Sequence, residues 1–389
     1  MLEPQTVAAA GSPSTDRMVV RRLGLVTFRS YVALDVEFTN GPQVVVGPNA
    51  AGKTNLVEGL VVLGTGHSHR AALDGELIGW GADFARLEAD VESGGAAEAK
   101  IELVIARTSA GGGRKRAAVN GVPRRPGALG AALPVVLFAP EDMLLIVGSP
   151  SGRRGSIDTL VAQTVPAASA TMANYARALT QRNNLLRAIR EGAASPGELR
   201  FWDGVIVDDG SQIVDWRRDA LAALAAPLAG AHAEIAPDEA ALELTYLSNV
   251  VRGEHESTSD ALRRRLAETA DKEQWNGQTL VGPHRDDVSF VSAGRDLSGF
   301  ASRGQQRTAI LAFKLATLEV LRQSHGRPPL LLLDDVFSEL DPHRRAHLVR
   351  RIGELPQAFV TTTTTDDLDR ALVAAATVWN VTPGRLERA

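Results

Sequence analysis

No stretch constrains this chain more than Gly47-Pro48-Asn49-Ala50-Ala51-Gly52-Lys53-Thr54. It fits G-x-x-x-x-G-K-[ST], the phosphate-binding loop, and its flanks are those the loop needs. Gln43-Val44-Val45-Val46 reads as a short buried strand before it, and Asn55-Leu56-Val57-Glu58-Gly59-Leu60 as a helix start after it. Glycines let backbone N–H groups close around a polyphosphate, and the helix N-terminus adds its positive dipole end. The whole loop, Gly47 to Thr54 with Asn55, is therefore a candidate nucleotide cradle. Lys53 is expected to reach the β/γ-phosphates, and the Thr54 hydroxyl to hold Mg²⁺. A chain built around this loop must supply a parallel strand, a tight turn and a buried helix.

Composition sets outer limits. With 389 residues, 44% of them hydrophobic and 23% charged, the chain has material for a sizeable core and two or three domains. It contains no cysteine, which removes disulfides, thiolate metal sites and cysteine nucleophiles, and fits a cytoplasmic protein. There is no apolar run of 18 residues, so no membrane partner is expected. A formal net charge of −4 argues against a globally basic nucleic-acid binder but leaves room for a local basic surface. Residues 1–17 lack the apolar core of a signal peptide and read as a disordered extension, with Met18 an alternative start.

The predicted organisation is α/β in the first part, residues 18–160. Leu34-Asp35-Val36-Glu37-Phe38 alternates as a half-buried strand, Ala85–Val91 and Ala99–Arg107 read as further strands, and Asn120-Gly121 signals a type I′ hairpin. Residues 161–276 turn helical. Tyr175, Leu179, Leu186 and Ile189 fall on one stripe, with Arg182 beside it, either paired or lining a groove. Residues 277–389 return to alternating strands and helices.

Two further stretches complete a nucleotide site. Leu330-Leu331-Leu332-Leu333-Asp334-Asp335 describes a buried parallel strand with acids at its carboxyl end, where open α/β sheets bind ligands. Asp334 is expected to share the Mg²⁺ with Thr54, and Asp335 to polarise the attacking water. Ser302-Arg303-Gly304-Gln305 opens a helix with the stripe Ile310, Leu311, Leu315, Leu318 and Leu321. Such an N-terminus reads as a phosphate contact or as a simple helix cap.

Phosphate loop, Ser-x-Gly-Gln, double acid and Ser338-Glu339-Leu340-Asp341 occur in the order of an ABC-type ATPase. About 250 residues separate Lys53 from Ser302, an interval that resembles the SMC-like branch. The detailed motifs are similar to those of the RecF family of bacterial recombination and repair ATPases. They include Phe28-Arg29-Ser30-Tyr31, Ser68-His69-Arg70, Phe138-Ala139-Pro140-Glu141-Asp142, Arg153-Arg154 with Asp158, Gln181-Arg182-Asn183, and Gly282-Pro283-His284-Arg285-Asp286-Asp287. The resemblance implies an ABC-type (SMC-like) ATPase head with a helical insert, using ATP and Mg²⁺. It implies an ATP-dependent homodimer, in which Ser302, Gly304 and Gln305 reach the γ-phosphate bound by the partner. It also implies binding of single-stranded or gapped DNA, RecR- and RecO-like mediators, recombinase loading and support of the SOS response.

Departures and alternatives accompany that resemblance. Gly155-Ser156-Ile157 stands where the family usually has bulky apolar residues. Many ABC heads carry a Glu at the position of Asp335 and a switch histidine after the next strand, for which Thr362 is the expected stand-in. Aspartate reaches one methylene less far and threonine carries no charge, so slow turnover suited to a switch is expected. Arg114-Lys115-Arg116, Arg124-Arg125, Arg153-Arg154 and Arg263-Arg264-Arg265 are basic clusters, for each of which a solvated face is the commoner reading. Arg114 to Arg125 is the best DNA candidate, because a Gly-rich hairpin presents its charges outward. His284 reads as a turn histidine bracing its neighbours. A nucleotide-binding scaffold for protein partners without DNA, or a transporter ATPase subunit, are the alternatives.

Overall fold

In the computed structural model, residues 17–94, 96–108 and 112–389 are described. The extension expected over residues 1–17 lies, apart from Arg17, outside them. The fold is layered around two six-stranded sheets. The first is antiparallel, in the order β2-β1-β4-β5-β6-β7: β1 (Met18–Phe28), β2 (Tyr31–Glu37), β4 (Phe84–Ser93), β5 (Ala96–Arg107), β6 (Gly113–Val119) and β7 (Val122–Arg124). The second holds β3 (Gly41–Val46), β8 (Val135–Phe138), β12 (Leu330–Asp334), β13 (Gln357–Thr362), β14 (Thr377–Thr382) and β15 (Arg385–Arg388), in the order β15-β14-β3-β13-β12-β8. Only β15 runs antiparallel in it.

Helix α1 (Lys53–Thr65) lies between the two sheets. It is buried almost continuously from Leu56 to Gly64, as a helix enclosed on all sides must be. Leu56, Leu60 and Leu63 join Leu23, Leu25, Leu87 and Leu103 of the first sheet and Leu330, Leu332 and Phe359 of the second in one apolar cluster. Asn120 and Gly121 both have positive φ, 52° and 73°, so the β6–β7 turn has the primed geometry read from its sequence.

The opposite face of the second sheet is covered by α2 (Pro150–Thr164), α4 (Leu199–Ile235) and α7 (Arg303–His325), which share a second apolar cluster with β8, β12 and β13. Helices α3 (Ala168–Arg190), α4 and α5 (Thr258–Asn276) form a third. Arg182 proves to be paired. Its guanidinium is buried between Asp203 at 2.8 Å and Glu273 at 2.7 Å. The helical stretch also contributes one strand, β9 (Leu242–Leu247), which pairs with β10 (Asp287–Ser292) and, through it, β11 (Arg295–Asp296). The short α6 (Leu297–Phe300) precedes α7, while α8 (Pro342–Gly353) and α9 (Arg370–Ala375) follow it.

The Gly155-Ser156 departure has a visible effect. Both residues line a cavity of about 850 Å³ shared with Met172, Leu160 and Phe313, where bulkier side chains would fill space. Next to it, α2 is tied to the segment before β10. Arg153 pairs with Asp287 at 2.8 Å, Arg154 donates to the Asp286 carbonyl, and Arg217 pairs with Asp158 and donates to the Pro283 carbonyl. His284 braces that turn, with Nδ1 2.7 Å from the Tyr175 hydroxyl. Burial lowers its pKa to about 4, so it is neutral at physiological pH.

Candidate nucleotide site

Parallel pairing places three strand ends side by side. Val46 of β3 is in register with Thr362 of β13, and Thr361 of β13 with Asp334 of β12. The phosphate loop leaves β3 at this carboxyl edge. Gly47 must be glycine there, because a Cβ would stand 2.5 Å from the Val381 carbonyl oxygen. Gly52 has φ 115° and closes the turn into α1, its carbonyl accepting the Tyr31 hydroxyl at 3.1 Å.

The resulting cavity, about 240 Å³, is lined by Asn49, Ala50, Gly52, Lys53, Thr54, Asn55, Arg70, Asp334 and Asp335. Lys53 Nζ donates to the carbonyls of Gly47 at 2.6 Å and Pro48 at 3.1 Å, folding the ammonium back over its own loop. Burial lowers the Lys53 pKa, and the charges of Asp335 and Asp334 oppose that shift. The Thr54 hydroxyl donates to Asp334 Oδ1 at 3.3 Å. A hydroxyl beside a carboxylate is a hard oxygen donor pair. It fits Mg²⁺, with phosphate oxygens and waters completing the shell. Among the described residues there is no cluster of three or more His, Cys, Asp or Glu able to hold a metal by themselves.

Asp335 sits just past β12 with φ 52°, a left-handed conformation that aspartate tolerates better than most residues. Burial raises its carboxyl above the usual range, Lys53 pulls it back, and Asp334 pushes it up again. Such a carboxylate is biased toward accepting a proton. Thr362 is buried, and its hydroxyl donates to the Thr364 carbonyl at 2.8 Å, while Thr363 beyond it is exposed.

Sequence reasoning passed over several participants. Thr361 donates to Asp334 Oδ1 at 2.6 Å and accepts the Asp335 backbone N–H at 3.0 Å, holding both acids with one hydroxyl. Arg70 donates to Asn55 Oδ1 at 2.9 Å and to Glu58 at 2.7 Å, and Arg29 donates to both Glu58 oxygens. Glu58 is fully buried. Burial would raise its carboxyl, but hydrogen bonds from Arg29, Ser68 and Arg70 hold it down to about 2. The Phe-Arg-Ser-Tyr and Ser-His-Arg stretches were visible as motifs, and only the fold shows them meeting on one glutamate.

Ser302, Gly304 and Gln305 do not line this cavity. Ser302 caps α7: its hydroxyl accepts the Gln305 N–H at 3.2 Å, and Gln305 Oε1 accepts the Ser302 N–H at 3.0 Å. Both residues are solvent-exposed. Arg344 fixes this end by donating to the Gly304 carbonyl at 3.0 Å and to Thr308, and it also pairs with Asp341. The cap and the exposed helix end therefore coexist.

A phosphate loop at the carboxyl edge of a parallel sheet, an acid pair at the end of the next strand but one and a separate capped helix end define a nucleotide-binding head of the ABC type. Comparison with known proteins narrows this. The family model of the RecF/RecN/SMC N-terminal domain matches residues 19–384. The DNA replication and repair protein RecF of Symbiobacterium thermophilum is 40% identical over 358 residues, covering 90% of this chain and 93% of that protein. Its counterpart in Frankia alni is 38% identical over 386 residues, covering 96% and 100%. The solved structure of the recombination mediator protein RecF with ATP superposes with a TM-score of 0.86 at 29% identity, covering 98% of this chain and 100% of that one. An Smc head bound to a domain of ScpA, at 16% identity and TM-score 0.50, shares the fold. The chain belongs to the RecF family.

Proposed function

We propose that this chain is an ATP-gated DNA-binding protein of DNA replication and recombinational repair, working as a dimer with weak ATPase activity. One observation carries the gating. Each head holds the phosphate loop, Thr54, Asp334 and Asp335 around one cavity, whereas the Ser302–Gln305 helix end is exposed and outside it. A second head facing the first would bring that helix end to the γ-phosphate, so bound ATP joins two heads and its hydrolysis releases them. Lys53 neutralises phosphate charge, Mg²⁺ held by Thr54 and Asp334 would supply Lewis-acid stabilisation, and Asp335 accepts the proton of the attacking water. The short reach of Asp335 favours slow turnover, below about 10 s⁻¹.

The DNA surface in this reading is the β6–β7 hairpin. Arg153 and Arg154 are taken up by Asp287 and the Asp286 carbonyl, and Arg263, Arg264 and Arg265 by Asp260, Glu256 and Glu268. Arg114, Arg116, Arg124 and Arg125 are exposed and have no side-chain partner among the described residues. Lys115 points the other way and pairs with Asp74. RecR- and RecO-like mediators remain the proposed protein partners. Sedimentation of the full chain with ATP, ADP or no nucleotide tests the gate: a dimer forms with ATP alone, and Ser302→Arg stays monomeric while still binding ATP. A nucleotide-independent dimer would refute it.

A further inference from the structure

The solvent face of the antiparallel sheet has two unlike halves. Alternation turns Leu87, Leu103, Ile105 and Ala117 inward, so every second residue of β4, β5 and β6 faces solvent. Register sets Phe84 beside Ala106 and Ala106 beside Arg114. The next row runs Val26, Arg86, Val104, Arg116. Farther down the same face lies a lattice of acids, in which Arg22 pairs with Asp35, Glu88 and Asp90, and Glu102 takes Arg86 and Lys100.

Around the upper rows, large apolar side chains are left in water. Phe84 is 46% exposed, Val26 38%, and Trp80 fully. Trp80 lies in the turn entering β4. That turn is fixed by the Gly79 N–H donating to the Thr27 carbonyl at 2.7 Å, and by the Thr27 hydroxyl donating to the Phe84 carbonyl. Two strand spacings put the Phe84 and Arg114 backbones roughly 10 Å apart, and Arg114 lies about 7 Å along its strand from Arg116. Phe84 on the face and Trp80 in the turn that leads into it, with two arginines that have no side-chain partner among the described residues and an acidic field at the border, make a charged and apolar half-face.

We propose that this half-face binds the unpaired bases of single-stranded DNA. Trp80 and Phe84 stack on bases, Arg114 and Arg116 hold successive phosphates, and the acidic rows keep the strand off the rest of the sheet. Every base offers a π-face, so the contact is independent of sequence. A duplex hides those faces within its stack and engages the arginines alone. The half-face thus gives the protein a means to prefer a gap over intact duplex. This inference rests on the DNA-binding reading above.

The test is fluorescence anisotropy of labelled oligo(dT) and of a blunt duplex of equal length, with the full chain and ATP. Trp80→Ala combined with Phe84→Ala weakens oligo(dT) binding about tenfold or more and leaves the duplex within about twofold. Arg114→Gln combined with Arg116→Gln weakens both substrates and reduces the salt slope by about 1.4 on oligo(dT) and about 1.8 on the duplex. All four side chains are exposed and none lines the nucleotide cavity, so ATP binding by either variant stays at the wild-type level and reports intact folding. Equal weakening of both substrates by the aromatic pair overturns the proposal. So does no effect on either. Failure of the wild-type chain to bind any DNA instead removes the functional reading, and this inference with it.

Discussion

Thr361 shows what a single hydroxyl does at this site. It is the side chain that touches both acids, through Asp334 Oδ1 and the Asp335 backbone N–H. Thr361→Val leaves the β-branched shape and removes the donor. The net loss of about 1–3 kcal/mol for an unsatisfied buried group should slow single-turnover hydrolysis by about tenfold, with ATP affinity changed far less. An unchanged rate would show that Asp334 needs no such anchor. Glu58 gives a pH prediction at the same scale. Its carboxyl is depressed to about 2 from an ordinary value of 4.5, so its contribution to stability is complete above 4.5 and is lost as pH falls toward 2. The gap in Tm between wild type and Glu58→Gln should therefore be widest near neutrality and shrink across that window. A gap independent of pH would contradict the ion-pair account. Lys53, Thr54, Asp334 and Asp335 were legible because their motifs are local. Thr361 was not, and Arg70 was visible only as part of a family motif, because the contacts that give each its place, with Asp334 for one and with Asn55 and Glu58 for the other, are made by the fold.

Between elements, the fold depends on a few close approaches and buried ties. Gly47 meets the Val381 carbonyl across the β3–β14 pairing, so Gly47→Ala forces two parallel strands apart. Overpacking of this kind costs about 1–3 kcal/mol, measurable as a drop in urea midpoint together with weaker ATP binding. Normal stability would mean that β14 can shift. Arg217 joins α4 to α2 through Asp158 and to the Pro283 turn through its carbonyl. Asp158 is about a quarter exposed, so Arg217→Met should cost about 2–3 kcal/mol, below the range for a fully buried pair. Most strands were readable from alternation and turn chemistry, and Asn120-Gly121 set its hairpin as its composition dictates. The strand β9 was not, since Leu242–Leu247 follows a 37-residue helix and finds its partner only at Asp287–Ser292. The arginines of the β6–β7 hairpin stood out as a basic cluster, but the row that joins Phe84 to Arg114 was hidden, because it arises from register between strands and not from spacing along one.

For the whole molecule, the account rests on a site divided between two surfaces of one head. Nucleotide-binding groups converge at the second sheet's carboxyl edge, the Ser302 helix end faces solvent elsewhere, and exposed arginines without a side-chain partner among the described residues crown the β6–β7 hairpin. If ATP joins two heads, two hairpins act on one DNA and affinity rises through avidity. Gating by ATP and binding of DNA are then one property. Among the described residues, no helix is long and apolar enough to cross a membrane. The most direct test is anisotropy of a labelled gapped duplex titrated with the full chain at fixed salt, with ATP and then with ADP. The account predicts tight binding with ATP only, steeply weakened by salt and abolished in Ser302→Arg. Equal affinity with both nucleotides, or none with either, would contradict it.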